Sequence, residues 1–377
     1  MLTVFIIPFS LSFLLGLMTI YTLRWHGSAT FDLGNTVQAV HEVPTPRIGG
    51  VSIFLAIIFT FLLAHYFWSP SEVISNLRLP EALNTLAGML ISVAPVFLIG
   101  VIEDLTKRIS VRVRLWISLA SGVFGCLVLG NVITTLDFYF LDLLLAIPLV
   151  AIIFTAFSSA GVANAINMID GLNGLALLVA LQILSGAGLL AYLYGDHLLI
   201  DVVIVFAGAI AGLFFLNWPF GKIFLGDGGA YLAGFFVAWV CILLNERNPP
   251  ISAYACLMLC AYPITEVIYS SWRRVRAQTT TGRADSLHLH QLVYRGVVCR
   301  IFKTAPPVLK NSIAGLLCSL LATPAVVFAV IYHSNKIALI GGFFAYIALY
   351  VLTYRILLPL GGQALGLGSR YSEGKKL

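Results

Sequence analysis

Val-Ala-Pro-Val-Phe-Leu-Ile-Gly-Val-Ile-Glu-Asp-Leu-Thr-Lys-Arg-Ile-Ser-Val-Arg-Val-Arg, residues 93–114, decides the fold. The run up to Ile102 is apolar at every position, with no polar stripe of the kind a helix on a soluble domain turns to water. It then meets an acidic pair, Glu103-Asp104, and a basic cluster, Lys107, Arg108, Arg112 and Arg114. A helix that is apolar all round and stops abruptly at charge crosses a membrane and ends at its surface.

The rest of the chain repeats this unit. Its 377 residues are 60% hydrophobic and 10% charged, whereas a soluble domain is about one quarter charged. A span needs roughly 20 mainly apolar residues. Candidates lie at 2–23, 50–68, 83–102, 113–132, 143–162, 175–194, 200–216, 230–244, 251–269, 312–332 and 337–357. The expectation is an all-α polytopic membrane protein of about eleven transmembrane helices. Residues 1–23 lack a basic start, so they read as a retained helix rather than a cleaved leader.

Numbering the polar connections alternately separates the charges. Of the 22 Lys and Arg residues, only Arg78, Arg247 and Lys336 fall in one set. Positive charge is held in the cytoplasm during insertion, which predicts an N-terminus outside and a C-terminus inside. The net charge of +6 is thereby topology, with membrane phosphates as the anionic neighbours and no nucleic acid. The chain reads as one membrane domain, 1–377, with cytoplasmic loops at 24–49, 103–114, 163–174, 217–229 and 270–311. The last is long enough to carry a short amphipathic helix on the surface. The six cysteines form no CxxC pair and read as apolar filler.

Every motif that could do chemistry lies on the basic side. Glu103-Asp104 is either a metal ligand and base or a solvated helix end. In Asn-Ala-Ile-Asn-Met-Ile-Asp-Gly-Leu-Asn-Gly-Leu, residues 164–175, Asn164, Asn167, Asp170 and Asn173 recur every three residues, a polar ridge if helical. In Gly-Lys-Ile-Phe-Leu-Gly-Asp-Gly-Gly-Ala, residues 221–230, glycines that can expose N–H groups to phosphate surround one carboxylate. Asp227 there is a Mg²⁺ ligand or an N-cap. His288 and His290, with Arg283 nearby, suit an anionic phosphate better than structural zinc. His41, Pro44, Pro46 and Arg47 form a stiff loop entering the second span.

Taken in this order, the segments resemble the polyprenyl-phosphate N-acetylhexosamine-1-phosphate transferases, glycosyltransferase family 4. The resemblance covers residues 32–295: the His41…Pro-Thr-Pro-Arg-Ile-Gly-Gly loop, the acidic pair, Asn-Ala-x-Asn-x-x-Asp-Gly-Leu-x-Gly-Leu, Phe-Leu-Gly-Asp, Pro263…Glu266…Arg273-Arg274, and His-x-His. It implies transfer of a sugar-1-phosphate from a UDP-N-acetylhexosamine to undecaprenyl phosphate at the cytoplasmic face of the bacterial inner membrane. UMP would leave, and a lipid-linked glycan such as O-antigen or capsule would be started.

By resemblance, Mg²⁺ (Mn²⁺ as substitute) is bound through Asp227, with Asp104 and Asp170 as further ligand candidates, and Asp104 with Glu103 activates the lipid phosphate. Asn167, Asp170 and Asn173 line the nucleotide site and Phe224 stacks on uracil. His288, His290 and Arg283 hold pyrophosphate or sugar, and His41 and Arg47 complete the substrate set. Partners are the two substrates and membrane lipid, with a homodimer left open. Three positions depart from the family pattern. Glu103 stands where a first Asp is usual, Asn173 replaces a carboxylate, and Gln291 replaces a third His, which points to a different sugar donor. A secondary transporter and a CDP-alcohol-type phosphotransferase are the rival readings.

Overall fold

The structure is a computed structural model that describes residues 2–32, 45–67, 79–276 and 287–362. In chain order it comprises α1 (Leu2–Tyr21), α2 (Leu23–Thr30), the strands β1 (Phe31–Asp32) and β2 (Thr45–Pro46), α3 (Gly49–Phe67), α4 (Leu79–Thr106), α5 (Val111–Leu129), α6 (Tyr139–Leu145), α7 (Pro148–Ile169), α8 (Leu175–Leu193), α9 (His197–Asn217) and α10 (Gly226–Arg247). Then follow α11 (Ala253–Leu259), α12 (Ala261–Arg276), α13 (Leu289–Val293), a π-helical turn (Tyr294–Val298), α14 (Cys299–Ile301), α15 (Pro307–Ser319), α16 (Thr323–Ile331) and α17 (Lys336–Gly362).

Among the described residues, nine helices are long and apolar enough to cross a membrane, or ten if the bent pair α11–α12 counts as one span. The expected eleven included α3, whose described apolar part, Gly49–Ala64, is shorter. The chain is a multi-pass, all-α membrane protein.

α10 is the axis of the bundle and is enclosed along almost its whole length, with Tyr231, Phe235, Phe236 and Trp239 fully buried. It packs against α4, α7, α3 and α8. Lipid gives no hydrophobic drive for helix association, so close packing between small residues has to hold the spans together. That is what occurs here. A Cβ on Gly125 of α5 would lie 2.4 Å from the Trp239 ring, and one on Gly234 of α10 would lie 2.6 Å from Ala163 Cα. A Cβ on Gly50 of α3 would lie 2.2 Å from Gly229 Cα. α1 and α17 stand at the periphery with most of their apolar surface outward.

Two expectations change, and a third meets a buried helix. The predicted span 251–269 is broken at Cys260, where α11 and α12 meet at 75°. Pro263 sits in the first turn of α12 and cannot donate the backbone bond that a continuous helix needs from it, so the break precedes it. Within 270–311, where a surface amphipathic helix is expected, the described residues include α13, whose five residues are all buried. It packs against α15 and α17. The loop 217–229 ends sooner than read, because α10 already begins at Gly226.

Candidate active site

The site starts from the way α10 begins. The first N–H groups of a helix have no partner within it. Leu225 occupies the N-cap and has no capping side chain. The cap comes from another helix: Asp104, near the end of α4, accepts from Asp227 N through Oδ1 at 2.9 Å and from Gly228 N through Oδ2 at 3.0 Å. Gly226 makes this possible with φ +77, and a Cβ there would collide with Arg47 O at 2.0 Å. The N-cap reading of Asp227 is thereby displaced. The cap is Asp104, and the Asp227 carboxylate is turned outward.

Two guanidinium groups meet that carboxylate. Arg47 Nη2 lies 3.4 Å from Asp227 Oδ1, with its Nε 3.7 Å from Asp104 Oδ1. Arg114, from the first turn of α5, donates through Nη1 to Asp227 Oδ2. The Arg47 loop is tied down by its backbone. Phe224 N donates to Pro46 O at 2.8 Å, and Gly49 N and Gly50 N donate to Phe224 O and Leu225 O, both at 2.9 Å. The pairing of β1 with β2 places Phe31 opposite Pro46 and holds the same strap from the other side. Half-buried Phe224 is thus one turn before Asp227.

Asp170 joins from α7, as the residue that ends the helix. Burial raises its carboxyl to about 7; the Arg47 charge pulls it down, while Asp227 and Asp104 push it up. Three carboxylates and two arginines therefore share one electrostatic neighbourhood. The ridge 164–173 is only partly helical, since α7 stops at Ile169. Asn164 folds back, donating to Ala160 O at 2.8 Å. Asn167 is half-buried one turn before Asp170.

Other expected site residues are placed differently. Glu103 uses Oε2 to accept Ile109 N at 2.7 Å, stapling the turn between α4 and α5. Asn173 is buried, with Nδ2 donating to Ser312 Oγ at 3.1 Å and its backbone N to Asn311 Oδ1 at 2.7 Å. It joins the start of α8 to α15. Gln291 closes a capping box, its Oε1 accepting His288 N at 3.4 Å. His288 and His290 are buried and their rings stack with centroids 5.5 Å apart. A Cβ on Gly171 would lie 2.4 Å from His290 Nε2, so the histidines abut the loop that carries Asp170. His41 and Arg283 lie outside the described residues.

In the sequence Arg114 reads only as topogenic charge. Its place in the basic run 107–114, next to the acidic pair, was the available signal. A cavity of about 460 Å³ opens between α7, α10 and the bent pair, lined by Phe157, Gly161, Ala165, Cys241, Leu257 and Ile264 among others. Its lining is almost wholly apolar. Ala165 is five residues before Asp170, about 7.5 Å along the helix axis at 1.5 Å per residue.

Residues 86–245 match the model described as glycosyl transferase family 4. The chain is 29% identical over 265 residues to undecaprenyl-phosphate alpha-N-acetylglucosaminyl 1-phosphate transferase of Escherichia coli O157:H7, covering 68% of this chain and 66% of the relative. The Yersinia pestis protein of that name is 27% identical over 260 residues, covering 68% and 67%. A probable undecaprenyl-phosphate N-acetylglucosaminyl 1-phosphate transferase of Bacillus subtilis is 25% identical, covering 67% and 66%. The chain thus spans about two thirds of the length of these relatives. The family match takes in Asp104, Arg114, Asp170 and Asp227 and ends before Glu266 and His288. The domain match over residues 86–245 and these relatives together support the resemblance to glycosyl transferase family 4.

Proposed function

We propose that the protein transfers an N-acetylhexosamine-1-phosphate from a UDP-sugar to undecaprenyl phosphate, releasing UMP and starting a lipid-linked cell-envelope glycan such as O-antigen or capsule. An oxygen of the lipid phosphate attacks the sugar-linked phosphorus. The bond from that phosphorus to the oxygen of UMP breaks, and UMP leaves with the electron pair. The observation that carries this reading is the placement of Asp227 in the first turn of α10, its charge turned out beside Arg47 and Arg114. The names of the relatives support the substrate class.

All reactants are anionic, so the barrier is in large part repulsion, and fixed cations offset it. Arg47 and Arg114 are the arginines in place to do so, and the N-terminus of α10 adds its dipole. A phosphate monoester is largely ionised near neutrality, so Asp104 is not needed as a base. Its work is to set the start of α10 and with it Asp227.

The donor set fits Mg²⁺. Among the described residues no three His, Cys, Asp or Glu side chains form a cage for an ion. Mg²⁺ does not require one, as it binds through one or two carboxylates, substrate phosphates and water. Asp227 would hold it, with Asp170 as the second carboxylate, raised to about 7 by burial and by its acidic neighbours. When bound, it would neutralise the pyrophosphate of the donor.

The apolar groove between α7, α10 and α12 takes the near part of the prenyl chain and delivers its phosphate to the Asp170 end. The segregation of basic residues supports a cytoplasmic site in the bacterial inner membrane. A transporter places free ionisable groups deep among its helices, whereas the buried carboxylate of Glu266 is held by His288 and Tyr350. The test is purified protein with undecaprenyl phosphate, Mg²⁺ and a panel of UDP-sugars. UMP release with one or more N-acetylhexosamine donors is expected, and release from none of them would reject the proposal.

A further inference from the structure

Glu266 of α12 is fully buried, and its carboxylate draws together three separate parts of the chain. Oε1 accepts from His288 Nδ1 at 2.9 Å, Ser270 Oγ at 3.2 Å and Leu289 N at 3.4 Å. Oε2 accepts from Tyr350 Oη of α17 at 2.5 Å. None of the chemistry above uses this residue. Burying a carboxylate costs several kcal/mol unless donors replace water, and apolar side chains would join the same helices at no such cost. The charge therefore has a use beyond stapling.

That use is legible in what lies beyond His288. A carboxylate accepts and does not donate, so His288 Nδ1 must carry a hydrogen. Glu266 thereby sets the tautomer and tilt of the ring. The His288 ring is parallel to that of His290 within 2°. His290 in turn presses on Gly171, the neighbour of Asp170. The line Tyr350, Glu266, His288, His290, Gly171 runs from the peripheral helix α17 to the carboxylate cluster.

We propose that Glu266 is a positioning residue that orients the His288–His290 pair toward the donor phosphates, and that Tyr350 of α17 belongs to the same device. The inference rests on the reading of the chain as a UDP-sugar phosphotransferase. It places part of the active-site support outside the 86–245 family match, in a helix that otherwise reads as a peripheral anchor.

The test is a double-mutant cycle on the full chain, with Glu266→Gln, His288→Gln and the pair. Gln keeps the shape of Glu266 and an oxygen for His288 but removes the charge. Glu266→Gln is expected to lower kcat/KM for the UDP-sugar about tenfold or more, with the KM for undecaprenyl phosphate within about twofold. The pair is expected to be no worse than the weaker single variant, because Glu266 acts through His288. Full donor turnover in a folded Glu266→Gln protein would overturn the inference, as would losses that multiply in the pair or a lipid KM that moves with the donor KM.

If Glu266→Gln does not insert, Tyr350→Phe removes one hydroxyl. It is expected to lower donor kcat/KM by about two- to fivefold, and unchanged kinetics would overturn the inference. A wild type inactive with every UDP-sugar rejects the parent reading and this inference with it. An active wild type with an indifferent Glu266→Gln rejects this inference alone.

Discussion

Asp104 caps the helix that carries Asp227, although the two stand 123 positions apart in sequence. Each oxygen of Asp104 receives one of the first N–H groups of α10, at 2.9 and 3.0 Å. Two acids that look alike on paper are thus divided between tasks. One shapes the helix terminus, and the other presents its charge. Asp104→Asn would point an amide N–H at one of those backbone donors, leaving it unsatisfied at a cost of about 1–3 kcal/mol. The expected result is a lower melting temperature in detergent together with lost activity. Normal melting with lost activity would return Asp104 to the reacting groups.

Asn173 and Gln291 depart from the family pattern, and the sequence alone points both to donor choice. The structure gives them packing work, at Ser312 and Asn311 for one and in the His288 capping box for the other. Asn173→Asp is expected to cost about 1–3 kcal/mol through the lost Nδ2 donor. Gln291→His is expected to cost about 0.5–2 kcal/mol as a lost cap. Rates with different UDP-sugars should fall together. A changed donor ranking at unchanged melting temperature would put these residues back at the sugar.

The all-α membrane fold was legible because apolar runs and charge segregation are local properties of sequence, visible without knowing what touches what. The glycine-flanked Asp227 and the 164–175 motif were legible for the same reason. Pairings across the bundle were not. Nothing local says that Asp104 caps α10, that Arg114 reaches Asp227, or that Tyr350 donates to Glu266. The break at Cys260 did have a local sign in Pro263, which the uniform hydropathy of 251–269 concealed.

Gly161 offers a direct probe of the groove. It lines the apolar cavity, and a Cβ there would meet no atom within 4 Å. Gly161→Leu should therefore fold while filling space assigned to the prenyl chain. Displacing about two methylenes of buried lipid, at ~0.8 kcal/mol each, should raise the KM for undecaprenyl phosphate on the order of tenfold. The KM for the UDP-sugar should stay put. An unchanged lipid KM would remove the groove from the reaction.

At the opposite end of the bundle, Asp196 caps α9 and accepts two hydrogen bonds from Arg247, at 2.7 and 2.8 Å, and one from Asn248 at 3.2 Å. Burial alone would raise its carboxyl, but the bonds and charge of Arg247 outweigh burial and hold it below its ordinary value. A lowered folded value means that the stabilisation is complete above the unfolded Asp value, near 3.9, and fades as pH falls through the folded one. Melting temperature against pH should show wild type losing its margin over Asp196→Asn only below about pH 4. A margin that vanishes already between pH 7 and 5 would count against this latch.

The most direct measurement is UMP release by Asp227→Asn beside wild type, with matched melting curves and saturating Mg²⁺. Because Asp104 supplies the cap, Asn at 227 leaves the helix start intact and removes one hard anionic ligand. Normal melting with turnover lowered on the order of 10²-fold or more is expected where charge stabilisation at the transferring phosphate dominates. Near-full UMP release from a normally folded Asp227→Asn protein would contradict the assignment of Asp227 as the metal-binding carboxylate of the site.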